Sequence, residues 1–128
     1  MENYKFDWNF IKSGMPYVTI SEISLAFNVL AVQKLGSPKK VILGFDEEKK
    51  TIGVKGADNE ERLEIVPSYD FATKQGIDGW VRIGCKEFLR YLTISTGISF
   101  EKAIRFGVIM ENDIMVIRIC DENILKRE

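Results

Sequence analysis

The chain contains no histidine, which removes the commonest general acid–base group and the commonest metal ligand together. A Ser–His relay is thereby excluded, although serine, lysine and carboxylates are plentiful. Cysteine is scarce. Cys85 and Cys120 stand far apart, each inside an apolar pattern, which predicts two buried free thiols rather than a disulfide framework. With no histidine and no second cysteine pair, no zinc pattern exists. Neither sign of charge is in excess, since 18 Lys and Arg face 19 Asp and Glu. Bulk positive charge therefore cannot hold nucleic acid, and only a local basic face could. No apolar run approaches the roughly 20 residues of a membrane helix. The start, Met1 to Asp7, lacks a basic segment followed by an apolar run. The expectation is a cytoplasmic protein with no membrane partner. GxGxxG and Walker A loops are missing as well, so nucleotide binding has no support. The chain reads as non-enzymatic and without a cofactor.

What is present suffices for one compact domain. Of the 128 residues 45% are apolar and 29% charged, and a chain of this length buries roughly two-thirds of its unfolded surface. Tyr4, Phe6, Trp8 and Phe10 alternate with Lys5, Asp7 and Asn9, a period of two that predicts a half-buried strand. Ser13-Gly14-Met15-Pro16 breaks it. Tyr17 to Ile20 and Ile23 to Phe27 read as further strands. Asn28 is a good N-cap for a short helix over Val29 to Leu35, which Gly36 and Pro38 end. Val41 to Phe45 and Thr51 to Lys55 form a hairpin around Asp46-Glu47-Glu48-Lys49-Lys50, a mixed-charge turn read as solvated.

The polar stretch 56–62 is the best linker. Beyond it Leu63 to Val66 reads as a short strand, and a loop runs on to Gly79. Its Gly76-Ile77-Asp78-Gly79 has the spacing of a GxxG loop but no flanking helices, so it reads as a turn. Trp80 to Ile83 is a strand and Cys85 to Leu92 a helix with Phe88, Leu89 and Leu92 on one side. Ile104 to Met110 and Ile114 to Ile119 are strands around Glu111-Asn112-Asp113. The chain thus reads as α+β and mostly β. Two degenerate strand–helix–hairpin units, about 17–55 and 63–119, close into a small barrel within a single domain, 1–128. The insertion Thr93 to Lys102 has no counterpart in the first unit.

The first unit, from Ile23 through Leu35-Gly36 to the hairpin ending at Lys55, resembles the swapped-hairpin half-barrel of AbrB-type and MraZ-type bacterial regulators. There a strand leads into a short helix ending in Leu-Gly, and a hairpin with an acidic turn follows. The tandem layout is similar to the MraZ arrangement, which carries two copies in one chain. The resemblance implies a bacterial or phage-type regulator that binds double-stranded DNA through arginines around the first strand and the helix. Tyr17 to Leu35 has no arginine and only Lys34. The Asp-x-x-x-Arg signature of the MraZ type also reads as absent from the matching stretches.

Arg82, Lys86 and Arg90 recur every four residues. With Lys39 and Lys40 at the matching loop of the first unit, they are the candidate DNA-binding face. The alternative is a solvated helix face. Tyr4, Phe6, Trp8 and Phe10 are the candidate interaction residues, packing on the chain's own fold or on a second subunit in a homodimer. Acidic clusters at Asp46 to Glu48 and Asp58 to Glu61 read as exposed turns. Two functions follow, a DNA-binding regulator or an assembly module using the aromatic strand.

Overall fold

The computed structural model describes residues 14–57 and 67–127. The aromatic segment Tyr4 to Phe10, the strand expected at Leu63 to Val66 and the acidic cluster Asp58 to Glu61 lie outside the described residues. β1 (Tyr17–Ile20) and β2 (Ser24–Phe27) form a hairpin. Ser21 closes its turn, its N–H donating to the Ser24 carbonyl at 3.0 Å. Asn28 then stops the strand and caps α1 (Val29–Leu35), its Oδ1 accepting from the Ala31 N–H at 2.9 Å. Gly36 ends the helix in the left-handed region at φ 78°, where a Cβ is costly. β3 (Lys40–Asp46) and β4 (Thr51–Gly56) make the expected hairpin.

Where a loop is expected up to Gly79, the chain instead forms β5 (Ser68–Asp70) and a 3₁₀ turn, Ala72–Lys74. β5 is too short and too polar to show a period of its own, and it exists because β3 offers a free edge. Gly76 to Gly79 is a turn, as read, with the Gly79 N–H on the Gly76 carbonyl at 2.9 Å. β6 (Val81–Gly84) follows, then α2 (Lys86–Thr96). This helix runs one turn past Leu92 because no breaker intervenes before Gly97, which ends it at φ 74°. The strand expected from Ile104 to Met110 is divided at Val108 into β7 (Ile104–Gly107) and β8 (Ile109–Glu111). β9 (Ile114–Arg118), a 3₁₀ turn at Asp121–Asn123 and β10 (Ile124–Arg127) complete the fold.

The strands make two five-stranded antiparallel sheets and not one closed barrel. The first has the order β10-β7-β1-β2-β6 and the second β5-β3-β4-β9-β8. Because β7 belongs to one sheet and β8 to the other, the break at Val108 is where the chain changes sheet. Among the described residues the pairings stop at β10, β6, β5 and β8, so neither sheet closes on itself there. The pairing has an approximate two-fold pattern. β1 pairs with β7, the first hairpin strand of the later half, while β5 pairs with β3, its counterpart in the earlier half. β2 likewise pairs with β6, and β4 with β9. The inward faces share one core that includes Val18, Ile20, Leu25 and Phe27 from the first sheet, Ile52, Val54, Met115 and Ile117 from the second, and Leu89 and Leu92 from α2.

Candidate nucleic-acid interface

The five basic residues singled out in the sequence fall on three separate parts of the fold. Lys39 and Lys40 lie where the chain enters β3, beside β5, and Lys40 is ion-paired with Asp70 at 3.1 Å. Arg82 stands on β6 and is ion-paired with Asp78 at 2.9 Å. Lys86 and Arg90 share α2 and, with Glu22 and Thr93, line a shallow cavity of about 290 Å³. Arg90 sits 3.9 Å from Glu87. Three of the five thus have a carboxylate partner, all at exposed sites where such pairs contribute little. Hydrogen bonding to Arg82 holds the Asp78 carboxyl below its usual range, and the same bond raises the guanidinium.

The outer face of the first sheet gathers cations that sequence spacing does not bring together. The register places Lys126, Arg105, Thr19, Ala26 and Arg82 side by side across β10, β7, β1, β2 and β6. Neighbouring strands are about 4.8 Å apart, so Arg105 and Arg82 are separated by roughly 14 Å. Aromatic rings on the same face support both guanidiniums. Arg105 lies over Tyr17, 4.1 Å from the ring centroid, and Arg82 lies over Trp80 at 5.4 Å. Tyr17 and Trp80 then meet edge to face at 5.5 Å. Tyr17 is only 4% exposed, so no base can stack on it, and its contribution is to hold Arg105 through the ring quadrupole. Arg105 makes no ion pair among the described residues, and its Nε is buried without a hydrogen-bond partner there.

Arg105 and Lys126 escape a linear reading because they come from distant strands. One signal was available. The Asp-x-x-x-Arg spacing, read as absent from the matching stretches, does occur in the second half, from Asp78 in the turn to Arg82 on the strand that leads into α2.

Two further readings need correction. Lys50 is not simply solvated, since its Nζ donates to the Ser95 carbonyl at 3.0 Å and to Ser95 Oγ at 3.2 Å. It thereby ties the β3–β4 turn to the last turn of α2, where a cation suits the helix dipole. Cys85 is buried and free as expected, and burial pushes its thiol up to about 12. Cys120 is also free but partly exposed, because it follows Ile119 where β9 has already ended. Among the described residues no group of three or more Cys, Asp or Glu side chains could hold a metal ion. No helix there is long and apolar enough to cross a membrane. Comparison with known proteins found no match to a family model, a curated protein or a solved structure.

Proposed function

We propose that the chain is a non-enzymatic DNA-binding regulator of AbrB-like or MraZ-like type, and that it grips duplex phosphates with the outer face of its first sheet. The observation that carries this reading is the row Lys126, Arg105 and Arg82, in which both guanidiniums rest on aromatic rings. Stacked guanidiniums lose less freedom on meeting a phosphate than free ones, and their planar forks suit its oxygens. Lys86 and Arg90, on the helix that follows Arg82, extend the basic surface. Arginines on a strand and on the helix after it are what the resemblance implies for DNA contact, here met in the second half of the chain. Swapped pairing of the hairpin strands with the opposite half also agrees with that architecture.

Three cations on one face predict modest, strongly salt-dependent affinity. At about −0.9 per neutralised phosphate, log K against log salt has a slope near −2.7, a loss of about fortyfold between about 50 and 200 mM. Fluorescence anisotropy with a mixed-sequence duplex measures this directly. Arg82→Glu with Lys126→Glu should abolish binding while leaving the melting temperature nearly unchanged, because both side chains are exposed. Binding that ignores salt or survives the double reversal overturns the reading. The second reading, an assembly module, gains its own observation from the outer face of the second sheet.

A further inference from the structure

On that face Gly44 and Gly53 stand directly opposite each other on β3 and β4. Neither has a positive φ. A Cβ on Gly44 would meet nothing within 4 Å, and one on Gly53 only Ile114 Cγ2 at 3.5 Å. Neither backbone geometry nor packing among the described residues requires glycine at these positions, yet each glycine weakens its strand. Strand glycines of this kind accompany a close approach from outside. They floor a groove of about 320 Å³ bordered by Ile42, Lys55 and Ile114. Beside it Ile109 is 54% exposed and Ile114 38%.

Two rows cross this face. One reads Ile42, Lys55, Ile114, Glu111 and the next Gly44, Gly53, Val116, Ile109. In each row the β9 residue is aliphatic, and its neighbours on β4 and β8 are complementary, a lysine against a glutamate and a glycine against an exposed isoleucine. Neither Lys55 nor Glu111 is ion-paired among the described residues. The geometry points to a homodimer in which this face meets the same face of a second copy, about a two-fold axis running along β9. Rotation about that axis sets Lys55 over Glu111 of the partner subunit and drops Ile109 onto the partner's Gly53, while Ile42 and Gly44 on β3 fall outside the contact, beyond the edge strand β8 of the second copy. Ile114 and Val116 meet their own copies at the centre, giving an apolar middle with a charged rim.

Only at the end of β9 does the axis bring like charges together, at Arg118. With strands about 4.8 Å apart and rows about 6.8 Å apart, the face spans a few hundred Å² per copy. That is small for a stable interface, so the dimer is a weak, readily reversible one. This inference is independent of DNA binding, which is assigned to the other sheet.

Sedimentation equilibrium of the full chain tests it. A reversible monomer–dimer equilibrium is expected. Ile109→Lys should weaken association by about a hundredfold and Lys55→Glu by about tenfold, both with unchanged melting temperature at these surface sites. The paired reversal, Lys55→Glu with Glu111→Lys, should restore the dimer, which a merely misfolded variant cannot do. A chain that stays monomeric throughout overturns the inference. So does a dimer indifferent to Ile109→Lys, or a paired reversal that fails to rescue.

Discussion

Asn28 shows how much one polar side chain can organise. Although buried, it accepts from the Ala31 N–H at 2.9 Å and from the Tyr17 N–H at 3.0 Å, and its Nδ2 donates to the Met15 carbonyl at 2.9 Å. It is therefore a helix cap and also the link that fixes where β1 begins. Asn28→Ala should destabilise the fold by about 2–4 kcal/mol, the loss of a cap plus buried groups left unpaired. Asn28→Asp, which keeps both accepted bonds, should cost less, and urea titration separates the two. At Cys85, burial raises the thiol from 9.0 to about 12, so the folded state holds the proton more tightly than the unfolded chain. Its contribution to stability is whole below 9.0 and is lost as the pH rises toward about 12. At about pH 8 a thiol reagent should modify Cys120 alone in the native protein and both thiols in denaturant.

At the scale of elements, the glycines divide by what they are for. Gly36 ends α1 at φ 78°, so Gly36→Ala should cost about 1 kcal/mol. Gly79 is held more tightly, at φ 84° with Val29 Cγ2 only 2.8 Å from where a Cβ would stand. Gly79→Ala should cost about 2–3 kcal/mol, since strain and a clash with the first turn of α1 combine. Gly44 lies in open space at an ordinary φ, and Gly44→Ala should stabilise the monomer by about 0.4–1 kcal/mol. Thermal unfolding of the three variants checks the order and the opposite sign. A gain at Gly44 would mean that the fold itself does not need this glycine.

On the scale of the whole molecule, neither half of the chain supplies its own partners. β1 pairs with β7, β2 with β6, β3 with β5 and β4 with β9, so the first half alone leaves four strand edges bare. A fragment of residues 1–57 should accordingly be unfolded or self-associated, as read by circular dichroism and sedimentation. A well-folded monomeric fragment would contradict this pairing scheme as the source of stability. A near-neutral total charge hides an uneven distribution, with cations aligned on one sheet face and an apolar, charge-rimmed patch on the other.

Local physics was enough to read much of this fold in advance. The Asn28 cap, the Gly36 stop, the β3–β4 hairpin and the alternation of β1, β2 and β9 depend on neighbours within a few residues, and periodicity carries that information. β5 and the break at Val108 have no such signature, because each arises from an edge or a second sheet supplied by distant residues. The same division governs the candidate basic face. Arg82, Lys86 and Arg90 were legible through their spacing, but their carboxylate partners and the alignment of Arg82 with Arg105 and Lys126 depend on strand register. Composition and short-range pattern suffice for most of the elements, the near-neutral charge and the loss of histidine chemistry. Only tertiary structure decided which side chains share a face, since strand pairing joins residues more than a hundred positions apart, such as Thr19 and Lys126, on one surface.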